Sequence, residues 1–358
     1  MRILHVITSL LTGGAEKLVV DLTLKLREMG HMVDVVVFNG ADGPFLQEME
    51  RREEVRLYIL GHSFYDFRYI WKLRKIMRNY DIIHTHNSSP QLYAAVANIG
   101  LHKRLVTTEH NTENRKRSLL FLRILDKWMY GKYDFIICIS PSSENNLCNY
   151  LGEKWMKRLK KNNIATISNG IDVKRFQQAF PAIERDGEVV IVMVAAFRQQ
   201  KDHTTLLRAM TYLPEAYVLW LVGDGELRPK VEAEIKELNL LDRVHLFGNR
   251  KDVPELLKSS DIVVLSSNWE GFGLAAVEGM AAGKPVVASD VDGLKQIVEG
   301  YGIVFPHGDT VALAHILKHL STNRNYYNEV AEKCYHRANE YDLGKMVKMY
   351  NDMYNSLC

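Results

Sequence analysis

The stretch from Ser266 to Pro285 constrains the fold of this chain more than any other part of it. It reads Ser-Ser-Asn-Trp-Glu-Gly-Phe-Gly-Leu-Ala-Ala-Val-Glu-Gly-Met-Ala-Ala-Gly-Lys-Pro. An apolar run of strand length precedes it at 262–265, and 274–282 has the composition of a helix that a Gly-Lys-Pro turn ends. Another apolar run begins at 286. The pattern predicts a strand, a glycine-bearing loop, a helix, a turn and a second strand.

The loop in this unit has the chemistry of a binding site. Gly271 and Gly273 let the backbone come close to a ligand. The N–H groups at the start of the following helix, together with the helix dipole, favour an anion and most simply a phosphate. Glu270 before the helix and Glu278 about a turn inside it suit hydroxyl groups, because carboxylates accept hydrogen bonds. The expected ligand has a phosphate between two polyols, as a nucleotide-sugar does.

The string Glu-Gly-Phe-Gly-Leu-x-x-x-Glu-x-Met-Ala-x-Gly-x-Pro-Val-Val-Ala, which begins at Glu270, resembles the E-x7-E signature of retaining glycosyltransferases, specifically glycosyltransferase family 4. Two glutamates at this spacing are by themselves usually a solvated helix face, so the full string carries the resemblance. The resemblance implies an α/β protein of the GT-B fold, with two Rossmann-like domains facing across a cleft that holds the active site. It covers nearly the whole chain and is most specific over 189–305.

The resemblance also implies roles for the residues of this stretch. Glu278 corresponds to the residue that binds the ribose hydroxyls, and Glu270 to the one that binds the hydroxyls of the donor sugar. The backbone N–H groups that would help to hold sugar and phosphate belong to Gly271, Phe272, Gly273 and Leu274. These residues define the expected donor-binding site.

Two cations, Arg198 and Lys201, follow directly after an apolar run at 189–194. Cations at the end of a strand can neutralise a leaving diphosphate, and surface salt-bridging is the alternative. They resemble the family's G-R-x-x-x-K element, although Phe197 stands where the family has glycine and only Gln199 and Gln200 separate the two cations. The resemblance therefore assigns them to the departing diphosphate, in place of a metal ion. We expect no cofactor and no metal, since no D-x-D motif stands where one would be needed.

Four more residues are expected to contact the donor. Gly13 and Gly14 lie between an apolar run and a helical pattern, a layout that suits either phosphate binding or a tight turn. In the resembled family this loop faces the donor diphosphate and sugar. His110 matches a T-x-H position that reaches the donor sugar and the reaction centre, and Arg250 flanks the spot where the backbone meets the nucleotide base. His84 and His86 could suggest a metal site, but their spacing favours a structural role.

Strand and helix patterns alternate along the chain, which predicts parallel sheets with both faces covered. With 358 residues, two domains are expected. An Asn-Gly-Ile-Asp motif that begins at Asn169 marks the domain crossover in the resembled family. We predict an acceptor-side domain at 1–170, with a C-terminal helix at 343–358 that packs back on it, and a nucleotide-sugar-binding domain at 171–342.

Composition bounds the location and the partners. The net charge of +3 is too small to indicate a nucleic-acid binder. The four cysteines form no metal-ligand spacing, which favours reduced cytosolic thiols. The apolar run at 3–7 is too short for a signal peptide, and no apolar run approaches the roughly 20 residues of a membrane-spanning helix. A cytoplasmic protein is expected.

Basic and aromatic residues interleave between 101 and 161, for example around Arg115-Lys116-Arg117, Trp128 and Trp155. Such a composition suits an anionic membrane surface, and a solvated helix face is the alternative. If the region contacts lipid, the protein is peripheral on the inner face of the cell membrane.

The function that these features predict is transfer of a sugar from a nucleotide-sugar to a hydroxyl of a saccharide or lipid-linked saccharide, with retained anomeric configuration. A UDP-sugar is the favoured donor, a GDP-mannose-type donor is the alternative, and bacterial surface-polysaccharide synthesis is the favoured context. A nucleotide-sugar epimerase of the same fold would need its own acid/base carboxylates. A non-catalytic nucleotide-sugar sensor would bind donor without turnover.

Overall fold

The chain forms two compact units, which are described in turn. The computed structural model describes residues 1–11, 13–110, 120–153, 155, 163–184 and 187–357, and for 120–122 it describes the backbone alone. The first unit consists of Met1–Gly170 and Leu343–Cys358, and the second of Ile171–Asp342.

Within the described residues, the first unit is built on a seven-stranded parallel sheet. Its strands are β1 (Arg2–Ile7), β2 (Met32–Asn39), β3 (Leu57–Gly61), β4 (Ile82–His86), β5 (Arg104–Glu109), β6 (Phe135–Cys138) and β7 (Ile164–Thr166). Its helices before the crossover are α1 (Gly14–Glu28), α2 (Pro44–Glu50), α3 (Arg68–Met77), α4 (Ser88–Ala97), α5 (Leu120–Tyr130) and α6 (Pro141–Leu151). The strand order is β3-β2-β1-β4-β5-β6-β7.

Across 171–184 and 187–342, the second unit is built on a six-stranded parallel sheet. Its strands are β8 (Val189–Val194), β9 (Tyr217–Val222), β10 (Val244–Gly248), β11 (Ile262–Leu265), β12 (Val286–Ser289) and β13 (Ile303–Phe305). Its helices are α7 (Val173–Gln177), α8 (His203–Met210), α9 (Arg228–Glu237), α10 (Val253–Ser259), α11 (Leu274–Ala281), α12 (Asp292–Val298), α13 (Thr310–Thr322) and α14 (Arg324–Ala338). The strand order is β10-β9-β8-β11-β12-β13.

The last helix, α15 (Leu343–Leu357), returns to the first unit. Its buried Tyr350 and Tyr354 pack in one apolar cluster with Ile3 of β1 and Leu22 of α1. Leu4, the next residue of β1, points to the opposite face and packs in a separate cluster. Both faces of the sheet are therefore covered, as a parallel sheet requires.

Strand β3 and helix α2 were not predicted from the sequence. β3 lies at the edge of its sheet and pairs with β2 alone. Its apolar run, 57–60, has only four residues, so it does not by itself indicate a strand. Of its five residues only Leu60 is buried, as the edge position allows.

The strand order reverses at one point in each sheet. In the first unit the reversal lies between β1 and β4, and in the second between β8 and β11. The loops that leave two such strands diverge to opposite sides of the sheet, which opens a crevice at their carboxyl ends. These two crevices are where ligands are expected in this architecture. Among the residues that the structure describes, no helix has both the length and the apolar composition that crossing a bilayer requires.

Candidate active site

Two loops meet at the reversal point of the second unit, one after β8 and one after β11. Both the main-chain N–H and the side-chain amide of Asn268 donate across it, to the carbonyl oxygens of Gln200 at 2.8 Å and Gln199 at 2.7 Å. The Ser266 hydroxyl donates to the carbonyl oxygen of Asp202 at 2.8 Å. These bonds hold the two loops in a fixed relation to each other.

Lys201 and Glu270, one from each loop, form an ion pair. Lys201 Nζ lies 2.7 Å from Glu270 Oε2, and the side chains are only 19% and 12% exposed. The sequence singled out both residues for a ligand, and the structure brings them together. A cation that can meet phosphate therefore stands beside a carboxylate that can accept hydrogen bonds from sugar hydroxyls.

The backbone around Lys201 is held in an unusual conformation. Lys201 ends a short 3-10 helix at Gln199–Lys201, and Asp202 adopts left-handed φ and ψ angles of 45° and 59°. A residue other than glycine rarely adopts this region, and such strain clusters at functional loops. The Asp202 side chain compensates by capping α8, accepting bonds from the N–H and hydroxyl of Thr205 at 3.3 Å and 2.5 Å.

Arg198 lies in the same loop and differs from Lys201 in its surroundings. Its side chain is exposed, and it takes part in no ion pair with the residues that the structure describes. The guanidinium is thus free to meet an anion without first breaking an internal contact.

Phe197, which replaces the family's glycine, is fully buried. Its ring packs edge-on against His203, with 4.6 Å between ring centroids, and its N–H donates to the Asp224 carbonyl oxygen at 3.0 Å. Burial lowers the pKa of His203 to about 4, so this imidazole is neutral at pH 7. The substitution therefore anchors the loop in the core and leaves both cations in place.

The glycines of the second loop are required by its geometry. Gly273 has a φ of 93°, in the left-handed region, and a Cβ there would lie 2.5 Å from Leu294 Cδ2. A Cβ on Gly293, at the start of α12, would overlap the carbonyl oxygen of Glu270. The close approach of α12 fixes the Glu270 backbone, and Gly273 aims the first turn of α11 at the loop.

Of the other predicted donor-binding residues, one is buried and three are partly exposed. Phe272 is 5% exposed, and its ring packs edge-on against Tyr341 with 5.3 Å between centroids, so only its backbone can meet a ligand. Gly271 and Leu274 flank it at partly exposed positions. Glu278 is half-buried just over a turn into α11.

Arg250 lies apart from the two loops, after the edge strand β10. Its guanidinium donates two hydrogen bonds to the Asp252 carboxylate, at 2.7 Å and 2.6 Å, and lies 5.9 Å from the centre of the Phe247 ring. The pairing raises the pKa of Arg250 and lowers that of Asp252. A contact between Arg250 and a nucleotide base remains a prediction.

In the first unit, Gly13, Gly14 and His110 lie at carboxyl ends of strands. Gly13 and Gly14 follow β1 and start α1, and the carboxylate of Glu16 lies against Gly13. A carboxylate at this helix start competes with an anionic ligand, so phosphate binding by this loop alone is weaker than the glycines suggest. His110 follows β5 and is partly exposed.

His110 belongs to a cluster of histidines that the sequence analysis did not recognise. His86 Nδ1 lies 3.1 Å from His110 Nε2, and His5 Nδ1 lies 3.0 Å from His86 Nε2. Only part of the signal is in the sequence: the spacing of His84 and His86 places both on one face of β4, whereas the pairing of His5 with His84 follows from the register of the folded sheet. One ring nitrogen from each of His5, His84 and His86 lies within 4.8 Å of the other two, a grouping that could hold a metal ion.

Two Rossmann-like units with site residues at their reversal points define the GT-B class of fold. HepE of Anabaena, solved with UDP and glucose, has a TM-score of 0.87 to this chain at 22% identity and covers 99% of this chain and 100% of its own. A sucrose-phosphate synthase of Thermosynechococcus elongatus has a TM-score of 0.79 at 21% identity, covering 100% and 99%. The prediction of the GT-B fold is thereby confirmed.

Family models identify the chain further. "Glycosyltransferase Family 4" matches residues 12–175, and "Glycosyl transferases group 1" matches residues 174–340. The chain belongs to glycosyltransferase family 4 and is a glycosyltransferase, as its motifs predict.

Characterised relatives are similar over most of their length. The UDP-Gal:alpha-D-GlcNAc-diphosphoundecaprenol alpha-1,3-galactosyltransferase of Escherichia coli is 27% identical in an alignment of 315 positions that covers 81% of this chain and 79% of that protein. A GalNAc-alpha-(1->4)-GalNAc-alpha-(1->3)-diNAcBac-PP-undecaprenol alpha-1,4-N-acetyl-D-galactosaminyltransferase of Campylobacter jejuni is 23% identical over 359 residues, covering 96% and 95%.

Proposed function

We propose that this glycosyltransferase moves a sugar from a UDP-sugar to a hydroxyl of a lipid-linked saccharide, with retained anomeric configuration. The observation that carries the proposal is the Lys201–Glu270 pair in front of α11. It provides a cation for a diphosphate and an acceptor for sugar hydroxyls side by side, next to helix N–H groups that favour phosphate.

Four side chains of the second unit have a role in this proposal. Glu278 binds the ribose hydroxyls and Glu270 the hydroxyls of the transferred sugar. Arg198 and Lys201 stabilise the charge that grows on the diphosphate as the sugar–phosphate bond breaks, an effect commonly worth several kcal/mol. Because two cations meet this charge, we propose that the reaction needs no divalent metal.

The names of two relatives support the choice of substrates. The Escherichia coli relative is named for UDP-Gal and a diphosphoundecaprenol acceptor, and the Campylobacter jejuni relative for an undecaprenol-linked acceptor. HepE is described in complex with UDP, with UDP and glucose and with UDP-glucose. We therefore propose a UDP-sugar donor and a polyprenol-linked acceptor, in a pathway of surface-polysaccharide synthesis. The first unit is the acceptor-side domain, and the roles of Gly13, Gly14 and His110 toward the donor stay predictions.

Calorimetry with UDP and GDP, followed by a screen of their sugars for slow hydrolysis, tests the donor assignment. UDP should bind at least about tenfold more tightly than GDP, because a specific base contact is worth on the order of 1 kcal/mol. At least one UDP-sugar should then release UDP in the presence of chelator. Tighter binding of GDP would contradict the donor assignment and leave the reaction class intact.

We also propose that the protein docks on an anionic membrane. Part of the region between 101 and 161 that suggested this, including Arg115, Lys116 and Arg117, lies outside the described residues. Support comes from Phe67, just before α3, and from Trp71 within it, which are 81% and 71% exposed. The sequence over 67–80 has no Asp or Glu, and its cations are Arg68, Lys72, Arg74, Lys75 and Arg78. Arg68 pairs with Asp66 at 2.8 Å, but the segment still carries an excess of positive charge. Exposed aromatics among such cations suit the interface of an anionic bilayer.

Vesicle sedimentation tests the docking proposal. Wild-type protein should sediment with phosphatidylglycerol vesicles at low salt and be released at high salt, since each Lys or Arg contributes about 1 kcal/mol within a Debye length of about 10 Å. The variant Phe67→Ala/Trp71→Ala should bind about tenfold more weakly or worse. Replacing Arg115, Lys116 and Arg117 by Glu measures separately how much the 101–161 region contributes to vesicle binding.

The control for this test is Phe180→Ala, because Phe180 is also 81% exposed but belongs to the second unit. It should bind vesicles like the wild type. Wild-type protein that stays in the supernatant even at low salt would contradict membrane docking and favour a soluble acceptor.

A further inference from the structure

Three imidazoles in the first unit form a hydrogen-bonded chain. It runs from His5 of β1 through His86 of β4 to His110 after β5, with nitrogen–nitrogen distances of 3.0 Å and 3.1 Å. His5 and His86 are completely buried, and His110 is partly exposed. His84 lies beside the chain but bonds elsewhere, to the Thr108 hydroxyl at 2.8 Å and the Tyr354 hydroxyl at 2.5 Å.

The hydrogen-bonded series of histidines restricts the tautomer of each of its three imidazoles. A neutral imidazole has one N–H donor and one acceptor nitrogen, and each link needs one of each. All links must therefore run in the same direction. Outward donation, from His5 to His86 to His110, leaves His110 with its proton on Nδ1. Inward donation leaves the proton of His110 on Nε2 and places the last N–H on Nε2 of His5.

The environment of His5 selects the direction. Its Nε2 is buried and has no hydrogen-bond partner among the described residues. An inward chain would put an unpaired N–H there, whereas an outward chain leaves an unpaired lone pair. Among buried backbone groups, orphaned N–H donors are rarer than under-satisfied acceptors, and the same preference at His5 favours outward donation.

All rings of the chain are uncharged at neutral pH, as this argument requires. Burial lowers the pKa of His5 to about 3 and that of His110 to about 4. Burial, with the nearby histidines adding to it, lowers the pKa of His86 well below its usual value. A charged imidazole with two donors therefore does not interrupt the sequence of bonds at pH 7.

We infer that His5 and His86 are positioning residues that hold His110 in the Nδ1–H tautomer. Its Nδ1, for which the described residues provide no hydrogen-bond partner, is then a donor to a substrate oxygen. A nitrogen that carries a proton cannot act as a general base, so His110 does not deprotonate the acceptor hydroxyl. The contact with substrate rests on the proposed function, whereas the tautomer does not.

Nitrogen-15 NMR of histidine-labelled protein at pH 7 tests the tautomer directly. Long-range N–H correlations distinguish Nδ1–H from Nε2–H, and His110→Gln identifies the signal. The wild-type protein should show His110 as Nδ1–H. His110 as Nε2–H would overturn the inference, as would one bound zinc per chain found by elemental analysis, because a metal on His5 and His86 would replace their hydrogen bond.

Variants of His86 test its effect on activity. His86→Leu should release His110 Nε2 and mix its tautomers. Loss of one oriented hydrogen bond should lower kcat by about tenfold. His86→Gln, which can both accept and donate, should restore much of the rate. His84→Gln, at a buried histidine outside the chain, should leave the His110 tautomer unchanged.

The outcomes separate the two proposals. Unchanged His110 signals in folded His86→Leu would overturn the positioning role. If His110 is Nδ1–H but His110→Ala has full activity, the tautomer assignment stands and the proposed contact between His110 and substrate fails. The wild-type spectrum decides the tautomer even if His86→Leu does not fold.

Discussion

Replacing Arg198 or Lys201 by alanine should lower kcat by about 100-fold or more, with a weaker effect on nucleotide affinity. The charge that these cations meet grows as the sugar–phosphate bond breaks, so the transition state should lose more stabilisation than the ground state. Steady-state kinetics with a UDP-sugar and an acceptor saccharide measures both kcat and the KM for the donor. A variant with near-normal kcat and only a raised KM would show that the cations merely bind the donor.

The two positions are not equivalent, and the structure shows which gives the cleaner measurement. Arg198 makes no ion pair with described residues, so its replacement would remove only the proposed contact with the donor. Lys201→Ala also leaves Glu270, which is only 12% exposed, without its cation. Lys201→Arg keeps that charge and should lose less activity than Lys201→Ala.

Lys295→Ala is the matched control for the loss of a cation. Lys295 lies in the same unit and pairs with Asp290 at 2.9 Å, but it is 40% exposed on α12. Exposed pairs contribute little to stability, so this variant should keep both kcat and KM. A comparable loss in the control would mean that the net charge of the unit, rather than these two cations, sets the rate.

Replacing Glu278 or Glu270 by glutamine should weaken the binding of two different ligands. Glu278→Gln should weaken the binding of UDP by about tenfold or more, because a carboxylate that accepts hydrogen bonds from hydroxyls contributes about 1.5–3 kcal/mol. Glu270→Gln should weaken the binding of the UDP-sugar by a similar factor. It should not weaken the binding of UDP, because it also frees the Lys201 ammonium to contact the diphosphate. Calorimetry with UDP and with an intact UDP-sugar separates the two effects. Equal losses for both ligands in both variants would contradict the assignment.

The sequence predicted the strands and helices around the site because their signals are local. The apolar runs before Arg198 and before Glu270 are fully or largely buried strands, and the helix predicted over 274–282 ends within a residue of α11. Motif spacing then placed each functional side chain at a strand or helix end. The local sequence pattern was sufficient to place a residue when its position depends only on its own strand or helix.

Contacts between distant segments were not predictable in this way. Lys201 and Glu270 are separated by 69 positions, and nothing local indicates that their side chains form a pair 2.7 Å apart. The same holds for His5 and His86, which belong to neighbouring strands at the centre of the first sheet. Arg250 appeared free in the sequence, although Asp252 holds its guanidinium. Strand order decides these pairings, and it follows from the whole fold.

Product analysis by proton NMR tests the central claim most directly. The protein is incubated in excess EDTA with the UDP-sugar found by the screen and with an acceptor saccharide. We predict release of UDP and a new glycosidic linkage with the anomeric configuration of the donor. An inverted product, or turnover only after Mg²⁺ or Mn²⁺ is added back, would contradict the proposed mechanism. A new free sugar epimer without acceptor would instead indicate an epimerase, and binding with no turnover at all would indicate a sensor.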